Sequence, residues 1–274
     1  MPFPGYIDTS AKNVADSKRP FGGLSSALWK HVNESAIANN PGNNYARMFS
    51  GADLADWIDL TTTANNDYAI GTEATTGATV ITNGVAGATG PVLAIDSEAG
   101  GDGQGMEIQF SKMGVTPTDG WSIYFEARIA LSDISSGVPD SFAGLASIDT
   151  TVMTTAGLPT AANSAGFYTS AAASLNFAVT TGTPSAVDTG HDMVDLDQAD
   201  AVAQVPSAWT KVGFRLDGTA DGGDYYVNGV KGAESVTWSL GPDAVIVPSF
   251  SCLGSAAVDV LMFINWFKVA QVEV

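Results

Sequence analysis

From Trp121 to Leu131 the chain alternates without a break: Trp121, Ile123, Phe125, Ala127, Ile129 and Leu131 fall on one side, Ser122, Glu126 and Arg128 on the other. Successive side chains of a β-strand point to opposite faces, so this period of two specifies a strand with an apolar inner face. Its other face is expected to present Ser122, Glu126 and Arg128 to water. Few apolar helices tolerate such a pattern, and no convincing long helix occurs elsewhere in the 274 residues.

The same logic recurs downstream. In Trp209 to Leu216, Val212, Phe214 and Leu216 point inward, and Lys211 and Arg215 outward. Asp224-Tyr225-Tyr226-Val227 runs into Asn228-Gly229, a pair suited to the positive φ angles of a tight hairpin, and Val230 starts the return. Further strands are expected at Val80 to Thr82, Val92 to Asp96, Met106 to Lys112, Phe142 to Asp149, Gly166 to Thr169, Leu175 to Thr180, Val236 to Leu240 and Val245 to Leu253. In Val258 to Val272, Leu261, Phe263, Asn265, Phe267 and Val269 alternate with Met262, Ile264, Trp266 and Lys268. Both faces are largely apolar, which predicts a central strand covered on each side. Many short strands parted by Gly, Thr, Asp and Pro clusters predict an all-β antiparallel sandwich or jelly roll.

Charge divides the chain at about residue 50. Residues 1–50 hold five of the eleven Lys and Arg but three of the twenty-nine acidic residues, so they carry +2 and the remainder −20 of the net −18. This segment, rich in Pro, Gly, Asn and Ser, reads as an extended N-terminal arm before a body spanning 51–274. Within it, Ser25 and Ser26 are placed to cap a helix over Ala27 to Ala38, with Leu28, His31, Val32 and Ser35 on one face. Trp29 and Phe49 are its large apolar groups, able to anchor the arm to its own body or to a neighbour. The acidic body opposes binding to nucleic acid and to anionic lipid, both of which require clustered Lys and Arg. The longest apolar run, Val258 to Val269, is interrupted by Asp259, Asn265 and Lys268, and the start lacks the features of a secretory signal. Cys252 is the single cysteine, which excludes an intrachain disulfide and suits a small buried hydrophobe.

The segments Trp121 to Arg128, Phe142-Ala143-Gly144-Leu145, Gly166-Phe167-Tyr168, Trp209 to Phe214, Tyr225 to Gly229 and Val260 to Val269 together resemble the concanavalin A-like lectin and laminin-G jelly-roll family. The resemblance covers the last 155 or so residues well and 53–120 more weakly. It implies a jelly-roll β-sandwich and not an activity, since that fold hosts lectins, hydrolases, lyases and inert modules. In composition the chain is also similar to tailed-phage capsid decoration, or cement, proteins.

Catalytic equipment is sparse. Hydrolases of this fold place carboxylates as Glu, one residue, Asp, two residues, Glu, a pattern missing here; Glu107 and Glu126 stand alone on their strands. His31 and His191 lack the setting of a catalytic base, and zinc lacks ligands, so no enzyme activity and no cofactor are expected. Calcium has weak candidates in Asp217, Asp221 and Asp224, with Asp192, Asp195, Asp197 and Asp200 as another acidic loop; neither has EF-hand spacing, and Asp-Gly turns explain both. Sugar contact would fall to Tyr68, Tyr168, Trp238 or Asn176, with Tyr168 and Trp238 the leading candidates for a glycan.

These observations lead to a virion structural protein as the first expectation: a decoration protein on the capsid exterior, made in the host cytoplasm. Its arm, through Lys12, Lys18, Arg19, Phe21, Trp29, Lys30 and Arg47, would dock on the major capsid protein and on further copies of itself. A trimer is the expectation by analogy. A lectin-like module for host adhesion is the alternative, and a polysaccharide-cleaving enzyme the third.

Overall fold

The computed structural model describes residues 24–30, 32, 45–50, 70–73, 81–82, 93–97, 103, 105–111, 113–132, 138–148, 151–153, 159, 163–170, 174–180, 184–193, 209–218, 222–237, 244–254 and 260–273. Among the described residues one short helix, α1 (Ser26–Trp29), precedes fifteen strands. These are β1 (Tyr45–Ser50), β2 (Ile70–Glu73), β3 (Ile81–Thr82), β4 (Leu93–Asp96), β5 (Gly105–Gln109), β6 (Trp121–Leu131), β7 (Asp140–Ser147) and β8 (Ser164–Thr169). They continue as β9 (Ser174–Thr180), β10 (Pro184–Asp192), β11 (Thr210–Asp217), β12 (Gly222–Val227), β13 (Val230–Thr237), β14 (Ile246–Leu253) and β15 (Leu261–Glu273).

The strands form two antiparallel sheets. Sheet A runs β13-β12-β11-β6-β15-β4-β3, and sheet B runs β10-β9-β8-β7-β14-β5-β2. One edge of β15 pairs with β6 along its length, and the other is shared end to end by β4 and β1. Between the sheets lies a core of alternating residues. Phe125, Phe214 and Phe267 come from sheet A, and Phe167, Phe177 and Phe250 from sheet B. Phe125 stacks on Phe214 at 5.3 Å between ring centroids, and Phe177 meets Phe214 at 5.5 Å, so aromatic contacts join the two layers. Cys252 is fully buried in this core as a thiol.

Asn228-Gly229 closes the β12–β13 hairpin as expected, with φ of 51° and 82°. Both values lie in the left-handed region that Asn and Gly adopt most readily. The side chain of Asn228 accepts a hydrogen bond from Lys211 N at 3.0 Å, tying the turn to the neighbouring strand.

Three expectations change. β1 pairs with β15 from Tyr45↔Gln271 to Ser50↔Trp266, so the sheet already includes residues that the boundary at 50 assigned to the arm, Arg47 among them. Of the helix expected over Ala27 to Ala38, the turn Ser26–Trp29 is seen and Val32 is not helical, while 31 and 33–38 lie outside the described residues. Along β15 a bulge falls between Ile264 and Trp266, shifting the alternation there. Phe263 therefore faces outward and Phe267 inward, although a continuous period of two puts them on the same face.

Candidate functional site

The outer face of sheet A is the most chemically loaded region described. Since Ile123, Phe125, Ala127 and Ile129 of β6 point into the core, Ser122, Tyr124, Glu126, Arg128 and Ala130 must point away from it. They are not in water. Ser122, Tyr124, Glu126 and Arg128 are each at most 2% exposed, which corrects the expectation of a solvated polar face. Two apolar covers account for this. Leu28 and Trp29 pack on Tyr124, Tyr226 and Ala270, with Leu24, Val32 and Val272 at the margin. Trp209, at the entrance to β11, packs on Ala94, Ala130 and Phe263.

Glu126 holds the first cover in place. Its carboxylate accepts from Ser25 N at 3.2 and 3.1 Å, from the Ser25 hydroxyl, and from Trp29 Nε1 at 2.7 Å. Leu28 N and Trp29 N donate to Ser25 O at 3.1 Å, so one helical turn aims the serine and the indole at the same acid. Burial pushes the Glu126 carboxyl above its ordinary value, and the Ser25 and Trp29 bonds and the Lys211 charge pull against that. Lys268, directly across from Glu126 on β15, places Nζ 4.4 Å from the centroid of the Trp29 ring. Desolvation lowers this ammonium to about 8.

Arg128 lies beneath the second cover. Its Cζ is 4.7 Å from the centroid of the Trp209 ring, and Nη1 donates to Asn265 Oδ1 at 2.8 Å. The β15 bulge inserts Asn265 between Ile264, which pairs with Ile129, and Trp266, which pairs with Arg128, and so sets the amide beside the arginine. Arg128 Nη2 and Trp209 Nε1 are both buried without a hydrogen-bond acceptor. Burial alone lowers the guanidinium to about 10.

The second strand glutamate is equally committed. Glu107 of β5 accepts from Val152 N and Met153 N, both at 2.8 Å, and from the Ser251 hydroxyl at 3.3 Å. Its neighbours Met106 and Ile108 enter the core, so Glu107 lies on the outer face of sheet B. Glu107 and Glu126 thus face away from each other through the sandwich and cannot flank one bond, as a glycosidase pair must.

The remaining candidates disperse. Tyr168 is 7% exposed in a cluster with Phe142, Val152 and Met153, which removes its ring from glycan stacking; burial also raises its phenol. Asp217 pairs with Arg215 at 2.8 Å and Asp224 with Lys231 at 2.7 Å, so protein cations stand where calcium was considered. Among the described residues no three His, Cys, Asp or Glu side chains converge as a metal site. Trp29 is bound to its own sheet and is unavailable as a docking group, whereas Lys30 is exposed. Lys12, Lys18, Arg19, Phe21, Tyr68, Asp221 and Trp238 lie outside the described residues, as do His31, Asp195, Asp197 and Asp200. His191, Asp192 and Asn176 are on β9 and β10, with His191 and Asp192 exposed. No described helix is long and apolar enough to cross a membrane.

The covered face of sheet A escaped sequence reasoning, although one signal pointed to it. Tyr124 and Ala130 occupy outward positions of β6, and apolar groups on both faces mark a strand covered twice.

The sequence matches no protein-family profile and no curated protein. Solved structures do match the fold. Peanut lectin, solved with a nonapeptide, superposes with a TM-score of 0.53 at 10% identity, over 84% of this chain and 97% of the lectin. Arcelin-5, a lectin-like defence protein of Phaseolus vulgaris, gives 0.51 at 11%, over 84% and 99%. The Lotus tetragonolobus seed lectin gives 0.50 at 12%, over 84% and 98%. With two antiparallel sheets in a lectin-like arrangement, the chain has the concanavalin A-like jelly-roll fold shared by these legume proteins.

Proposed function

We propose that this chain is a carbohydrate-recognition module of lectin type that does not cleave its ligand. The observation carrying this reading is the sandwich itself, which spans nearly the whole of three lectin or lectin-like chains. The absence of cleavage is inferred from the two strand glutamates, which sit on opposite outer faces and are occupied by main-chain and side-chain donors. Trp238 remains the aromatic candidate for stacking on a sugar ring. A glycan array probed with the full chain tests the proposal: retention of a defined glycan, lost in Trp238→Ala, is expected. Retention of no glycan overturns it, and release of reducing sugar from a bound polysaccharide overturns its non-catalytic part.

The charge partition favours a second reading, attachment to a capsid exterior. Leu24, Leu28, Trp29 and residues 45–50 are engaged with the chain's own sheet, so docking on a major capsid protein would fall to Lys12, Lys18, Arg19, Phe21 and the exposed Lys30. Deleting residues 1–23 should then abolish capsid binding; full occupancy by the truncated chain refutes it. Trimeric assembly belongs to this second reading, and native mass measurement checks it.

A further inference from the structure

The Arg128–Trp209 stack on the outer face of sheet A carries two buried donors, and neither has an acceptor. Arg128 is 2% exposed and Trp209 4%. Arg128 Nη2 and Trp209 Nε1 are both unpaired, while the guanidinium carbon lies 4.7 Å from the indole centroid. Asn265 satisfies only Nη1, and it is neutral. Among the described residues no carboxylate pairs with Arg128; the nearest on its own strand face, Glu126, already accepts from Ser25 and Trp29. Buried donors are nearly always paired, and a buried charge is ordinarily compensated by an opposite one. The place therefore lacks both a hydrogen-bond acceptor and a negative charge.

We infer that Arg128 and Trp209 form a binding site for a carboxylate, and that its ligand is an acidic sugar of the uronic or sialic class. Two free donors and one uncompensated positive charge match a monoanion with two acceptor oxygens. Water would satisfy the donors and leave the charge. A phosphate dianion would bring more charge and more acceptors than the site can meet, against a body carrying −20. Trp209 precedes β11 and covers the guanidinium, so entry of a ligand requires its indole to turn about its two side-chain torsions. The assignment of the ligand as a sugar rests on the carbohydrate-recognition reading; the carboxylate site itself rests only on the two unpaired donors.

The test follows the indole N–H signals of the full chain by NMR, with the Trp209 signal assigned through Trp209→Phe, during titration with acetate, glucuronate and glucose. Acetate and glucuronate should both move the Trp209 signal, glucuronate at lower concentration, and glucose should leave it in place. Arg128→Gln should weaken the response roughly tenfold or more, the scale of one charge-assisted hydrogen bond. Should that variant fail to fold, Trp209→Phe keeps an aromatic ring in place and removes the donor. Calorimetry on it should show glucuronate binding weakened by about tenfold, roughly the effect of losing one hydrogen bond. A native Trp209 signal indifferent to both acids overturns the site, as does glucuronate affinity unchanged in either variant. Acetate binding as tightly as glucuronate overturns the sugar assignment while keeping the carboxylate site. Array binding that persists in Arg128→Gln, with no Trp209 response, overturns this site and leaves the broader lectin reading standing.

Discussion

Trp29 donates its indole N–H to Glu126 at 2.7 Å, joining residues 97 positions apart in the chain. Through this bond and those of Ser25, a segment near the N-terminus becomes the roof of the central strand of sheet A. The acid is buried because the roof is there, and the roof is held because the acid is there. That reciprocity makes the pair the most sensitive point of the outer face.

Replacing Glu126 by Ala leaves the Ser25 N–H, the Ser25 hydroxyl and the Trp29 indole without their acceptor. The expected loss is about 2–4 kcal/mol of unfolding free energy, whereas Trp29→Phe, which removes one donor and keeps most of the ring, should cost only about 1 kcal/mol. Urea unfolding of the two single variants and the double measures this. The double variant should be less destabilised than the sum of the singles, since both remove the same bond; strict additivity would refute the linkage.

Gly213 of β11 offers a separate way to lift the roof. A Cβ built there would meet Leu28 Cδ2 at 2.7 Å, with Phe125 O at 3.0 Å and Glu126 Cγ at 3.1 Å. Gly213→Ala should therefore displace Leu28 and cost about 1–3 kcal/mol, the scale of overpacking. Limited proteolysis should show faster cutting around residues 24–32 while the sandwich stays intact. Unchanged cleavage would show that Leu28 is not held against this strand.

Lys268 gives the fold an alkaline dependence. Its folded pKa is about 8 against an ordinary 10.5, so between those values the unfolded chain binds more protons and stability rises with pH. The gain is at most about 3 kcal/mol, reduced by the Trp29 ring face, which favours the charged ammonium. Glu126 acts in the opposite sense. Its raised pKa makes the folded chain bind more protons above the ordinary 4.5, so its contribution falls as pH climbs from there. Lys268→Met should flatten the rise of melting temperature above pH 8; an unchanged profile would contradict the assignment.

Cys252 is fully buried between the sheets, with Sγ 3.6 Å from Val260 O. Its thiol should react with an aromatic disulfide reagent only as fast as the protein opens. Rates that follow the global unfolding rate across a urea series are expected, and rapid labelling in native buffer would exclude this burial.

The strands were legible where one face is apolar and the other polar. β6 runs over Trp121–Leu131 as the alternation specifies, and the Asn228-Gly229 turn follows from its backbone requirements alone. β1, β2 and β10 were missed, because none of them alternates apolar and polar residues without interruption and each owes its state to the strand it pairs with. At the site, Arg128 and Glu126 were visible as residues and invisible as a site. Tyr168 misled because an aromatic looks the same in sequence whether it stacks on a sugar or beneath a loop.

By itself the sequence determined the two-faced strands, the β12–β13 hairpin, a fully apolar neighbourhood for Cys252 and hence a sandwich. These follow from local alternation and local backbone preference, which act over a few residues. Only the tertiary structure decided that the polar face of β6 lies under Trp29 and Trp209, that Glu107 and Glu126 look away from each other, and that Arg128 keeps a donor unpaired. A period of two gives a strand two faces, but which face water reaches depends on segments remote along the chain, and no local pattern encodes their arrival.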